Sequence, residues 1–218
     1  MKLSRRITIA TLMLACAFPA LAADQPHPKV SLKTNMGEIV IELVPEAAPV
    51  TVENFLKYVR SGHYKGTLFH RVIDGFMIQG GGYTKGLKEK PTGKPIPLEA
   101  RRALEAGLKN DIGTIAMART QDPNSASAQF FINVRDNEFL NHQILPDGDP
   151  VEFVFRGTPI VKPRAQALMA TAGYTPFGRV IKGMDVVEKI KGVETGSTGG
   201  MQDVPKKDVV IESATVIK

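Results

Sequence analysis

The sequence predicts a mainly-β fold, a closed or nearly closed barrel, and three observations carry that expectation. Short β-branched runs recur along most of the 218 residues. Only two segments repeat apolar residues at helical spacing. The runs do not alternate with those helices, which argues against a doubly wound parallel sheet. A hydrophobic content of 43% with 23% charged residues is ordinary for a globular chain with a substantial core.

Taken in order, residues 30–34 and 39–43 form a hairpin, because Asn35-Met36-Gly37 between them supplies turn chemistry. Ile39, Ile41 and Leu43 then share one face by the period of two. Pro45 and Pro49 close the strand region. Thr51 is placed to cap a helix reaching about residue 61, with Val52, Phe55, Leu56 and Val59 at helical spacing and Gly62 past its end. Further strands are expected at 68–73, 76–79, 114–118, 129–134, 177–181 and 209–216. A second helix fits 184–190, where Val186, Val187 and Ile190 are apolar and Asp185 lies near the start. Gly80-Gly81-Gly82 lacks the Gly-Lys-Ser/Thr ending of a phosphate loop and is read as a tight barrel turn. Residues 196–200 are read as a flexible loop. No internal repeat is visible.

Residues 141–174 break the rhythm, being rich in Pro, Gly and charge. A connection of that length is usually functional or mobile. Within it Val151-Glu152-Phe153-Val154-Phe155 alternates as a small strand would, and 164–172 has room for one or two helical turns.

The first 22 residues have the pattern of a secretory signal. Lys2, Arg5 and Arg6 precede an apolar run at 7–18, and Ala20-Leu21-Ala22 supplies a small-x-small cleavage site. The run is shorter than the ~20 residues a membrane span needs. Cleavage after Ala22 or Ala23 would leave a proline-containing linker at 23–28. The expected destination is the periplasm. Cys16, the only cysteine, lies inside the signal, so a processed chain would have no thiol for disulfides, catalysis or soft metals. Lipid anchoring at Cys16 is a less favoured alternative. Of the formal charge of +6, half sits in this segment, and no Lys/Arg cluster is interleaved with aromatics, so nucleic-acid binding is not expected.

The chemistry concentrates in residues 69–82. They bring a permanent cation, Arg71, close to Phe76 and Met77 and to a neutral amide, Gln79, with no carboxylate base, thiol or hydroxyl nucleophile completing the group. Such a set is poorly equipped for hydrolysis or group transfer. It suits an apolar ligand that carries an amide and receives a hydrogen bond from Arg71. His70, beside Arg71, is read as structural, since alternation sends it to the other face. His27, His63 and His142 have no ligand spacing, and no metal site is expected.

Phe69-His70-Arg71-Val72-Ile73, two residues, and then Phe76-Met77-Ile78-Gln79-Gly80-Gly81 resembles the signature of the cyclophilin peptidyl-prolyl isomerases. Three further matching blocks follow in order: one that begins at 113–119 and continues to 127–132, then Phe139-Leu140, then 177–187. The agreement covers about residues 29–217 apart from an insert at about 143–173. A lone Phe-His-Arg-Val would be weak; four ordered blocks are specific. The resemblance implies a closed eight-stranded antiparallel β-barrel capped by two α-helices, with a proline-binding groove on its outer face. It implies that Arg71 is the catalytic arginine and that Phe76, Met77, Phe131, Phe139 and Leu140 wall the proline pocket. Gln79 and Gln129 would orient the peptide, with Gln79 counted beside Arg71 as catalytic. Ala118 and the backbone of Arg119 would receive the substrate main chain, and Tyr174 would flank the pocket.

The implied partners are proline-containing peptides and unfolded exported proteins, with no cofactor and a monomer as the default. Three positions depart from the commonest pattern. Phe139 stands where tryptophan is frequent, which removes an indole N–H and implies weak cyclosporin binding. Tyr174 stands where histidine is frequent, and Arg119 where asparagine is. The alternative is a non-catalytic peptide-binding module or chaperone on the same barrel, with the insert as its contact surface. A hydrolase ranks behind both for want of a nucleophile.

Overall fold

The computed structural model describes residues 27–155 and 157–218, so the expected signal, Cys16 and most of the linker lie outside the described residues. The chain opens with β1 (Lys29–Thr34) and β2 (Gly37–Leu43), paired antiparallel as expected. Helix α1 (Pro49–Arg60) follows, then β3 (Thr67–Ile73), β4 (Met77–Thr84), the two-residue β5 (Lys88–Glu89) and a short α2 (Ala100–Glu105). Strands β6 (Thr114–Met117) and β7 (Phe130–Asn133) precede a 3-10 turn at Glu138–Leu140. The insert contains β8 (Val151–Phe155), β9 (Thr158–Lys162) and α3 (Arg164–Ala170). The chain ends with β10 (Pro176–Lys182), α4 (Met184–Lys191), β11 (Thr195–Thr198), β12 (Met201–Pro205) and β13 (Val210–Ile217).

Eight of these strands close an antiparallel barrel in the order β3-β13-β1-β2-β10-β6-β7-β4, and the β4–β3 pairing seals it. Every backbone edge in the ring is thereby paired. The interior is filled by inward-facing residues such as Leu32, Ile39, Ile41, Ile78, Ile115 and Ile132. The two expected helices cap it: α1 inserts Phe55, whose ring meets Tyr64, Phe130 and Phe177 at 5.1–5.7 Å, and α4 inserts Val186, Val187 and Ile190.

Three local expectations are corrected. Thr51 does not cap α1; the helix starts at Pro49, whose missing N–H is no loss in a first turn. The open donors of that turn are satisfied from elsewhere, because the Glu99 carboxylate accepts from the N–H of Val50 and from the N–H and hydroxyl of Thr51. Gly80, Gly81 and Gly82 do not form a turn but lie within β4. Side chains there would collide with their neighbours: a Cβ at Gly80 would meet the Leu68 carbonyl at 3.0 Å, and one at Gly82 the Gln129 side chain at 2.5 Å. Residues 196–200 are not a free loop either, since β11 and β12 pair as a hairpin turning at Gly199-Gly200, both with positive φ.

The insert is likewise folded. β8 and β9 pair over five registered residues, and Val151, Phe153 and Ala167 form a core of their own with Leu145 and Ile160.

Candidate active site

Strand alternation divides β3, β4 and β7 between two environments. Val72, Ile78, Phe130 and Ile132 point into the barrel. Met77 and Phe131 point out and join Ala116 and Leu140 in a separate apolar cluster, flanked by Ile73, Phe76, Ala118 and Tyr174. The exterior of a sheet next to solvent rarely carries so much buried apolar surface without a use for it.

Arg71 reaches this face through a register shift. The β3–β4 pairing slips between Phe69 and Arg71, so His70 is the extra residue of a bulge and Arg71 sits opposite Gln79. His70 is buried against the Tyr83 ring at 4.7 Å, and burial lowers its pKa to about 4. It is a neutral packing residue, in keeping with its structural reading.

Arg71, Phe76, Met77, Gln79, Ala118, Arg119, Phe131, Leu140 and Tyr174 together line a pocket of about 100 Å³. Nine of the eleven residues expected at the site are thus brought to one place. The other two border it. Gln129 accepts a hydrogen bond from the Gln79 side-chain N–H at 3.0 Å, and Phe139 stacks on Phe76 at 5.6 Å while half exposed. The pairing of the two amides leaves the Gln79 carbonyl oxygen and the Gln129 N–H groups outside that bond.

Arg119 contributes more than backbone. Its guanidinium lies over the Tyr174 ring at 4.4 Å, donates to the Gly173 carbonyl at 3.0 Å and to the Thr120 carbonyl at 2.8 Å. Tyr174 in turn meets Phe131 edge-on at 5.7 Å. Arg119 therefore fixes one wall of the pocket and ties it to the end of the insert.

Two sets of residues escaped sequence reasoning. Asp203, in the β11–β12 hairpin, places a carboxylate oxygen 3.7 Å from Nε of Arg71, and its φ of 61° is left-handed. Asp tolerates that region better than most residues. The contact is made at Nε and so engages one edge of the guanidinium. The second set is a buried amide network. Asn137 donates to the Phe76 carbonyl at 2.9 Å and to the Asn133 side chain at 2.8 Å. Asn110 donates to the Asn141 side chain and to the carbonyls of Leu140 and Tyr174. Buried amides bonded in this way rigidify what they hold, here the backbone of three pocket walls, while the side-chain oxygen of Asn137 is left buried without a partner. The recurrence of asparagine at 133, 137 and 141 was the one local signal for it.

A sequence profile described as cyclophilin type peptidyl-prolyl cis-trans isomerase/CLD matches residues 29–216. The chain is 53% identical over 189 residues to a peptidyl-prolyl cis-trans isomerase of Streptomyces antibioticus, covering 86% of this chain and 98% of that one. It is 53% identical over 187 residues to peptidyl-prolyl cis-trans isomerase B of Escherichia coli, with the same coverages. Peptidyl-prolyl cis-trans isomerase A of Dickeya dadantii is 42% identical over 218 residues, 99% of this chain and 100% of the relative. Among solved structures, a cyclophilin type isomerase of Cryptosporidium parvum superposes with a TM-score of 0.62 at 24% identity, covering 88% of this chain and 98% of the other, a likeness of fold.

Proposed function

Because the chain belongs to the cyclophilin-type peptidyl-prolyl cis-trans isomerase family, we propose that Arg71 drives its X–Pro isomerisation and that its substrates are exported proteins still folding. The enzyme class is that of its relatives. The residue roles and the setting are our reading. One observation carries the roles: a small apolar pocket with a guanidinium at its rim and no nucleophile or general base in its lining.

The peptide C–N bond has partial double-bond character, and rotating it costs ~18–20 kcal/mol. X–Pro exchange therefore takes tens to hundreds of seconds unaided. As the amide twists, conjugation is lost and the proline nitrogen gains an available lone pair. A guanidinium donor at that nitrogen stabilises the twisted form more than the planar one, which is what acceleration requires. Arginine suits this because it stays charged and does not act as a base. Phe76, Met77, Phe131 and Leu140 hold the ring, while Gln79, Gln129 and the Ala118–Arg119 backbone orient the chain on either side. The planar amide is more polar than the twisted one, so its withdrawal from water also favours twisting. Four powers of ten in rate amount to about 5–6 kcal/mol. One charge-assisted hydrogen bond supplies ~1.5–3 kcal/mol of that. The pocket and orientation supply the remainder.

The chain from Asp24 onward should isomerise a short X–Pro peptide, and Arg71→Ala should lower kcat/KM by about 10- to 100-fold with the fold intact. Equal rates in the two proteins would remove Arg71 from the mechanism. Holding of an unfolded chain without isomerisation would favour the binding-module alternative. Export is supported by the n-region, apolar run and Ala20-Leu21-Ala22 site. Terminal sequencing of protein recovered from a periplasmic fraction should begin at Ala23 or Asp24. Retention of Met1 in a cytoplasmic product would sink that part.

A further inference from the structure

Resting on the isomerase reading above, we propose that the insert at residues 143–173 builds a second substrate subsite, which takes an apolar side chain of the same polypeptide on one side of the proline. The pocket of about 100 Å³ opens into a groove of about 1140 Å³, and the two share Arg71, Phe76, Arg119, Leu140 and Tyr174 in their walls. The groove is therefore continuous with the place where the X–Pro bond sits. A chain bound there has to leave along it or beside it. The far wall belongs to the insert: Phe155 from β8 and Gln166 and Met169 from α3.

The chemistry of that wall selects its occupant. Met169 is 53% exposed on the groove and offers an unbranched, adaptable apolar surface. Gln143 and Gln166 add amides able to pair with the main chain of an extended peptide. Among the described residues, Arg71 and Arg119 are the charged members of the lining, and no carboxylate joins them there. A lysine at the subsite would meet two guanidinium groups and gain no carboxylate from the lining, whereas a leucine would displace water from apolar surface.

The wall is also stiff. β8, β9 and α3 pack on a private core, and the Arg164 guanidinium holds the carbonyls of Pro146 and Gly148 at 2.9 and 3.2 Å. At the other end Arg119 grips Gly173. A preformed wall spends little binding energy on its own ordering, so contacts made to it add to affinity.

The test uses decapeptides with one central Ala-Pro, in which a single leucine is walked through the remaining positions of a Gly/Ser background. Isomerisation rate and binding by fluorescence are measured for the wild type, Met169→Asp and Leu168→Asp. Leu168 is 49% exposed on the same helix but does not line the groove, so it carries the same chemical change to a different face. On the wild type, leucine at one or two positions on a single side of the proline should tighten binding about fivefold over the unsubstituted peptide. Lysine there should not. Met169→Asp should abolish that gain, and Leu168→Asp should leave it intact. Equal benefit from leucine at every position, an equal loss in both variants, or no loss in either would overturn the subsite. If the wild type isomerised none of the peptides, the catalytic reading would fall while the positional binding pattern would still decide the subsite.

Discussion

Phe130 and Phe131 are neighbours in β7 with identical side chains, yet one is locked among Phe55, Tyr64 and Phe69 inside the barrel and the other stands on its outer face beside Met77, Leu140 and Tyr174. The same division separates Ile78 from Met77 and Gln79, and Val72 from Arg71. Inside, every ring is surrounded and its contribution is to stability. Outside, the apolar side chains leave a ring-sized space, and their contribution is to a ligand. A strand period of two thus lets three short strands act as core and active site at once.

The comparison can be broken most severely from the inside. Phe130→Ala should cost about 3–5 kcal/mol of stability, read by chemical denaturation, because three edge-on ring contacts would be lost to a cavity. A loss no greater than that of an exposed residue would undo the assignment of the inner face.

His70 probes the boundary between the faces. Its folded pKa of about 4 lies below the ordinary 6.5, so below pH 6.5 the unfolded chain takes up a proton that the native state refuses. Stability should therefore fall as pH drops from 6.5 towards 4, by about 3 kcal/mol for this residue, and His70→Gln should flatten that slope. Denaturation midpoints at several pH values would register it; unchanged slopes would mean that His70 is not held neutral.

On the outer face the expected effects are smaller. Phe139→Trp restores an indole N–H at the groove edge and should tighten cyclosporin binding about tenfold, measured by inhibition. No change would mean that the stack on Phe76, and not the missing donor, limits that ligand. Smallest is Asp203→Asn. The half-exposed ion pair with Arg71 is worth about 0.2–1 kcal/mol. Its loss should lower kcat about two- to threefold with KM little changed, the signature of a positioning residue. A rise in KM alone would assign Asp203 to substrate binding.

Much of this molecule was legible beforehand, and the failures are informative. The eight barrel strands and both capping helices follow from local periodicity, since a β-strand or an amphipathic helix is specified by residues two to four apart. Arg71, Phe76, Met77 and Gln79 were legible because one strand–turn–strand segment carries all four. Gly80-Gly81-Gly82 misled, because three glycines in sequence resemble a turn; only the close approach of β3 and the Gln129 side chain explains why they sit within a strand. Glu99 could not be read as the partner of Thr51, nor Asn110 as the support of Leu140 and Tyr174, since each bond spans distant parts of the chain.

By itself the sequence determined which residues alternate, which segments coil, and which cation and apolar side chains share a local segment. Tertiary structure alone decided that the β11–β12 hairpin brings Asp203 to Arg71, that Arg119 clamps Tyr174, and that the insert folds on a core of its own beside the groove. The division is physical. Local preferences act over a few residues of backbone, whereas barrel closure brings together side chains whose separation along the chain leaves no periodic trace.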